Sequence, residues 1–573
     1  MDWRKLFSRG SDARSDDRRD PADAPIEAPG ERELAVVRAY HERTKHAPGR
    51  YANGPGWMDW DTQPDPFRRF AGAELLPLDL PAPSDEPRYE QVFPPGRIEA
   101  RPLDRASLSQ LLRDSLAISA WKRAGEAHWS LRVNPSSGNL HPTEGYVVAP
   151  AVPGLSETPF VAHYAPKEHA LEVRARFDAE LWQELVRELP DGALLVALTS
   201  IHWRESWKYG ERAYRYCNHD VGHAVACVAL AAAAMGWGAR LLDGLASDEI
   251  AELLHLSDTQ HPEAEEPDCV IALYPRGATC EATRLDAAAI LRFAGLEWKG
   301  TPNELSPDHA DWPVIDDVAA CARSQGAPLA RTDAVPPWPP LEVGDEPIPF
   351  RRIVHQRRSA VAMDARSGLA RDAFFQAMRR VLPGHGEQPL AALPWSPRVH
   401  LLLFVHRVAD LDPGLYVLVR DPEHEAELRA ALDPSFDWTR PEGCPSWLPL
   451  FHLKMGDARG LASHASCDQA IAGEGCFSLG MLARFDASLA TDGPHAYPRL
   501  FWETGAIGQS LYLEAEALGL RATGIGCFYD DVVHRAFGLR GSAWQSLYHF
   551  TVGGAVDDAR ITTEAAYGDR ADH

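Results

Sequence analysis

The chain has 573 residues, 45% hydrophobic and 24% charged, with a formal net charge of −24 at pH 7. That balance describes a globular protein of more than one domain, and it excludes a nucleic-acid binder, which needs concentrated basic charge, while leaving room for a local pocket for one small anion. Nine scattered cysteines without a C-x-x-C pair argue against a disulfide or zinc framework and fit a cytoplasmic protein, and no run of 18 apolar residues predicts a membrane span.

Residues 1–33, opening MDWRKLFSRGSDARSDDRRD, read as a solvated, disordered tail. Residues 34–94 form a leader. Its aromatics and prolines, YHERTKHAPGRYANGPGWMDWDTQPDPFRRF at 40–70, predict an extended arm packed on the body. A first α+β domain is expected over 95–300. It holds the small polar turn and strand NPSSGNLHPTEGYVV (134–148), the run HWRESWKYGERAYRYCNHDVGH (202–223) and an alanine-rich stretch, 224–234, with no polar side, which predicts a buried helix. His219 and His223 stand four apart, a spacing that suits a metal pair. No third ligand or H-E-x-x-H pattern accompanies them, so they are read as core or interface histidines and no metal is expected.

A Pro-rich linker follows at 301–349, and a second, related domain at 350–573. The duplication is visible directly. The 36-residue stretch from Val221 (VGHAVACVALAAAAMGWGARLLDG…) aligns without a gap with that from Thr504 (TGAIGQSLYLEAEALGLRATGIGC…). Gly222 matches Gly505 and Gly236 matches Gly519, at one offset of 283 residues (505 − 222 and 519 − 236). Each copy reads as a long apolar helix, a glycine stop, a strand and a short acidic helix start. Upstream, EGYVVAP (144–150) resembles VHLLLFV (399–405), and VAHYAPKEHALE (161–172) resembles GLYVLVRDPEHEAEL (414–428).

The copies have lost different parts. The first keeps the Pro-Ser-Ser-Gly-Asn turn, replaced by LPWSPRVH in the second. The second opens on RRIVHQRRSAVAMD (351–364), where Arg357, Arg358 and Ser359 make a donor cluster suited to phosphate; the first has no such cluster. Cys227, Cys476 and Cys527 are read as packing residues in apolar surroundings.

Arg-Arg-Ser at 357–359, Pro-Ser-Ser-Gly-Asn at 135–139, a G-x-x-x-Q pattern and the Gly-rich strand entry ATGIGCF together resemble the flavin-dependent nitroreductase superfamily. The nearer likeness is to its SagB-type dehydrogenases, which include azoline (thiazoline) oxidases, and it runs from about 34 to 567. The resemblance implies two fused nitroreductase-like α+β domains forming an intramolecular pseudo-dimer, with one FMN between them. It places Arg357, Arg358 and Ser359 of one half at the phosphate and Arg132, Pro135, Ser136, Ser137 and Asn139 of the other at the flavin. Gly524, Ile525 and Gly526 correspond to a strand entry where absent side chains let backbone amides approach the ring. Arg560 corresponds to a late basic residue near the phosphate. Val361 stands where the family often has Arg or Lys, so one phosphate contact is missing or comes from elsewhere.

Lys208 and Tyr209 resemble the Lys-Tyr pair that serves azoline oxidases as proton acceptors. Burial among Trp207, Tyr209 and Tyr214, near Arg204, Arg212 and Arg215, would favour the neutral amine a general base needs. The expected activity is FMN-dependent dehydrogenation of a peptide-derived azoline or other small substrate, with oxygen or NAD(P)H as electron partner and the chain a monomer or homodimer. One alternative is an NAD(P)H-dependent nitro or quinone reductase. The other, of a different class, is a non-catalytic scaffold without flavin that binds a peptide or protein partner.

Overall fold

The two alanine- and leucine-rich stretches fold as long helices, Ala213–Ala233 and Ala496–Ala517, both buried over almost their whole length. A helix without a polar face must be covered on all sides, and here each helix covers the other. The computed structural model describes residues 30–256, 261–331, 336–344 and 346–568; the expected tail at 1–29 lies outside them.

The helices meet at the two matched glycines. A Cβ on Gly222 would lie 2.3 Å from the Trp502 carbonyl oxygen, and one on Gly505 would lie 2.4 Å from that of His219. Trp502 and His219 are themselves related by the 283-residue offset, so the contact is reciprocal.

A sheet flanks the helix pair on each side. The first runs, in spatial order, Glu74–Pro77, Ala170–Arg176, Phe160–Ala165, Thr143–Ala149, Leu194–Ser200, Glu266–Pro275, Trp237–Leu241. The second runs Leu450–Met455, Gly414–Leu418, Val399–Val405, Phe477–Arg484, Trp544–Gly553, Arg521–Ile525. All neighbours are antiparallel, and apart from the leader strand at the edge of the first sheet the orders are the same. Strands buried on both faces read as continuous apolar runs. Val147 and Leu401 point into one core shared by both halves and the helix pair, whereas Val148 and Leu402 point into separate outer clusters. The two upstream segments that look alike diverge after their first strand: Ala170–Arg176 is a strand, but Glu425–Ala431 is a helix, and the matching second-half strand waits until Leu450–Met455.

The halves also exchange segments. The hairpin Ile118–Ala124/Ala127–Arg132 is completed by Thr562–Glu564 from the far end of the chain. The leader begins as a helix, Glu31–Arg43, rather than as extended chain, and its first turn uses the last residues assigned to the tail. The linker also contributes a helix, Pro313–Ala322, which buries Ile315, Val318 and Ala322.

One carboxylate joins leader, first half and second half. Asp530 is fully buried and accepts from Arg212 at 3.1 Å, Arg215 at 2.8 Å and the His46 amide at 3.0 Å. The same arginines donate to the Thr44 and His41 carbonyls of the leader. Burial alone would raise the Asp530 carboxyl, but Arg212 and Arg215 outweigh it and hold it well below the usual carboxylate range. Replacing it strands two buried guanidinium groups. Asp530→Ala should therefore cost about 3–5 kcal/mol in urea unfolding, and the clamp's contribution, present above the ordinary Asp pKa, should fade as pH falls below it. A loss under about 1 kcal/mol, the scale of an exposed pair, would show that the clamp does not hold the halves.

Candidate active site

The Pro-Ser-Ser turn and the Arg-Arg-Ser cluster, more than two hundred residues apart in sequence, line one cavity of about 960 Å3 between the halves. Pro135, Ser136, Ser137 and Asn139 form one wall, Arg357, Arg358 and Ser359 another, and Gly524, Ile525 and Gly526 a third; Arg132 and Tyr209 also line it. Lys208 and Arg560 do not.

The turn is shaped by unusual backbone. Gly138, Asn139 and His141 have φ of 59°, 60° and 54°, a region glycine and asparagine enter most readily. Gly138 is needed a second time, because a Cβ there would meet the Tyr209 hydroxyl at 2.5 Å. Ser136 Oγ accepts from the His141 amide at 2.8 Å, and Asn139 Nδ2 donates to the Ser130 carbonyl at 2.9 Å. The Ser137 amide and hydroxyl both donate to Asp220 at 3.0 Å. Asp220 thus seats the turn on the first central helix. Burial pushes its carboxyl up to about 7 against the pull of hydrogen bonds from Ser136 and Ser137. A carboxylate inside a helix buried over its whole length was the sequence signal that could have marked it.

Across the cavity, Arg357 is 4% exposed with its guanidinium 4.9 Å over the Tyr512 ring. Its Nε and Nη1 are buried without a hydrogen-bond partner, and Nη2 makes only a long contact, 3.4 Å, to the Arg132 carbonyl. Ser359 Oγ shares a 2.8 Å hydrogen bond with the Tyr512 hydroxyl, which accepts from the Gly524 amide at 2.9 Å. Lys122 and Arg521 add two cations to the same wall. Arg358 is pulled down to about 10, first by burial and then by Arg357 and Arg521; Lys122 is lowered by burial and by Arg358. Unpartnered donors among mutually repelling cations are the donor set a phosphate would satisfy. Val361 is exposed and uncharged; the other cations on that wall are Arg521, paired with Glu516, and Lys122, which donates to Thr563 Oγ1.

Other expected residues sit differently. Arg132 is turned inward, onto the Pro66 carbonyl at 2.5 Å and the Thr143 carbonyl at 3.4 Å. Arg560 is 87% exposed and pairs with Asp558 at 2.7 Å, so it reaches no other part of the site. The glycines of the strand entry seat tyrosines of the protein itself: a Cβ on Gly524 would strike the Tyr548 hydroxyl and one on Gly526 the Tyr216 ring at 2.3 Å. Arg204, Arg212 and Arg215, read as neighbours of Lys208, face Glu144 and Asp530 instead. His219 and His223 contact the second half, at the Leu547 carbonyl and at Gln509 and Tyr548.

Lys208 lies in the last turn of the short helix His202–Tyr209 and is half-buried, with Nζ 5.3 Å from the Tyr209 ring centroid. Burial, then Glu205, holds the Tyr209 hydroxyl well above its ordinary value, so it carries its proton. Glu205 is pushed well up, by burial and then by Asp220, and its two oxygens have no partner. The leader covers this helix: Trp207 Nε1 donates to the Asp59 carbonyl and to Thr62, both at 3.1 Å.

The counterpart position across the helix pair is filled. Arg499, the residue 283 positions beyond Tyr216, donates to the Asp243 carbonyl at 3.0 Å, to Ser324 Oγ at 3.1 Å and to the Ala327 carbonyl at 3.3 Å. The linker has closed that side to a cavity of about 30 Å3.

This architecture and sequence match the nitroreductase family over residues 99–272 and 417–554, more than half the chain; the protein belongs to that family. A crystal structure of a nitroreductase-type protein from Anabaena variabilis shares the fold, with a TM-score of 0.66 over 91% of this chain and 99% of that chain at 21% identity. A protein of Methanocaldococcus jannaschii named as a nitroreductase is 29% identical over 130 residues, 22% of this chain. The chain thus spans 64% of that relative's length. An oxidoreductase containing FMN is similar over 35% of this chain and 74% of its own, at 16% identity and a TM-score of 0.19.

Because Asp220 keeps its proton more tightly when folded, its ionised form opposes folding. Stability should therefore fall as pH rises from about 4 to about 7, by up to about 4 kcal/mol. Asp220→Asn should lose that slope, so that its unfolding free energy gains on the parent's between pH 5 and pH 8. Parallel pH profiles of the two proteins would remove Asp220 from this role.

Proposed function

We propose that the cavity holds one FMN per chain, with Arg357, Arg358 and Ser359 on its phosphate and the 135–139 turn at its ring. In this reading the enzyme dehydrogenates a small or peptide-derived substrate, and an azoline ring is the class favoured by the Lys208–Tyr209 motif. The observation that carries the reading is the buried Arg357 guanidinium, two donors free, facing the same cavity as the Ser136–Ser137 turn of the other half. At about 960 Å3 the cavity is at the upper end of the roughly 300–1,000 Å3 usual for small-molecule sites, so a second reactant fits beside a cofactor. FMN, when bound, supplies a ring that takes up two electrons and gives them up again.

The chain's own residues handle the proton. Oxidising a carbon–heteroatom ring removes a proton from the neighbouring atom as well as a hydride. Tyr209 stands at the wall with its hydroxyl protonated, so it takes a substrate proton only while passing its own onward. Lys208 Nζ, behind the Tyr209 ring, is the acceptor, and Ser137 with Asp220 keeps the turn against which Tyr209 packs in place. The leader segment covers Trp207, next to Lys208.

Purified protein should release one flavin per chain, measured by visible absorption. Arg357→Ala should weaken FMN binding about 10- to 100-fold, the worth of a hydrogen bond to a charged group. Lys208→Ala should keep the flavin and lose oxidation of an azoline-containing peptide. Two flavins per chain, or unchanged FMN affinity in Arg357→Ala, would refute the composite site.

A further inference from the structure

Cys527 follows the Gly524–Gly526 strand entry and opens on the cavity; Cys467 lies behind it, outside the lining. Their Sγ atoms are 2.8 Å apart, and both cysteines are free and partly exposed. The turn that presents Cys467 is held in an unfavourable shape: Cys467 and Asp468 are consecutive non-glycine residues at φ 55° and 59°. Such backbone persists only where the surroundings impose it. Here the Asp468 carboxylate accepts from the Tyr529 hydroxyl at 3.0 Å, and Gln469 Nε2 bridges the Ser466 and Cys527 carbonyls at 2.8 and 3.0 Å. The leader supplies a third partner. His46 shares a side-chain hydrogen bond with Cys527, and its Nδ1 accepts from the Ala52 amide at 3.0 Å, which leaves Nε2 as the protonated ring nitrogen.

We propose that Cys467 and Cys527 are a redox-active thiol pair that exchanges with low-molecular-weight disulfides entering the cavity. The Cys527 thiolate attacks one sulfur of the incoming disulfide, breaking its S–S bond, forming a mixed disulfide and releasing one thiol. Cys467, losing its proton, then displaces the second thiol and closes the Cys467–Cys527 bond. The protein pair loses two electrons and two protons, and the small disulfide gains them as two thiols.

The two cysteines have distinct parts in this. Cys527 is accessible and is the thiol biased toward thiolate, first by the hydrogen bond with Cys467 and then by those of His46 and by the charge of Arg212. Cys467 is the resolving thiol. By contrast burial pushes Cys227 up to about 12 and Cys444 and Cys476 up to about 11, which makes them inert. The reading of Cys527 as a mere packing residue is thereby corrected. Closure ties the 466–469 turn to the glycine strand, so the oxidation state of the pair fixes one wall of the cavity. The inference needs only that cavity, not what fills it.

The test equilibrates the full-length protein with oxidised and reduced glutathione, blocks remaining thiols and maps peptides without reduction. Two of the nine thiols should be lost, in a single 467–527 cross-link that reverses with excess reduced glutathione. Cys467→Ser should instead trap glutathione on Cys527, and His46→Ala should slow the first step about 10-fold near neutral pH. Retention of all nine thiols, a cross-link between other cysteines, or no trapped glutathione in Cys467→Ser would each overturn the assignment. These readouts are independent of flavin, so their failure leaves the FMN reading standing, and the converse holds.

Discussion

Everything in this molecule hangs on two helix backbones touching at Gly222 and Gly505. Any side chain at either glycine would meet a carbonyl of the other helix within 2.4 Å. Contact that close between two buried helices creates a shared core, and it sets the relation between the halves to that of a two-fold pair. From it follows the site. The N-terminal half of the first helix, with Tyr216, Asp220 and His223, is brought against the glycine strand and the Arg-Arg-Ser segment of the second half. Shift the crossing by a turn and neither the turn at 135–139 nor Arg357 would face a common space.

The fold was legible because it is dictated by long patterns. Repeated apolar helices, glycine stops and the constant 283-residue offset survive any uncertainty at element ends. The two half-sites were legible because each is a short run of unusual composition. What escaped was whatever depends on direction rather than sequence. Arg560 looks like Arg357 in one dimension, yet Asp558, two residues before it, holds it in solvent. Gly524 and Gly526 are glycines for a reason found only in space, the tyrosines lodged against them. Asp220, Tyr512, Lys122 and Arg521 were not singled out by any motif and come to the cavity from four different elements.

Asymmetry arose in the same way on both sides of the axis, by occupation. On one side neither leader nor linker lines the space, and a cavity remains. On the other, Arg499 replaces the equivalent of Tyr216 and binds the linker's own carbonyl and hydroxyl groups. In this duplicated scaffold an arginine and a segment of chain occupy the counterpart side. The helix Pro313–Ala322 within a Pro-rich linker is part of that closure.

The arginines show how structure and binding divide within one residue type. Arg212 and Arg215 are buried with a carboxylate and backbone carbonyls already in place, so their charge stabilises the fold without any ligand. Arg357 is buried too, but its Nε and Nη1 have no partner in the chain; Glu516 attracts it without a hydrogen bond to either atom, and Arg521 repels it. Burying an unpaired charge is costly, and the protein has other arginines to show that pairing was available. The cost is tolerable only if an anion completes the set, and by mass action that anion then stabilises the folded chain as it binds. A cationic wall left incomplete inside an acidic protein is the energetic ground for the proposed anion site, and it lies where the Pro-Ser-Ser turn faces it.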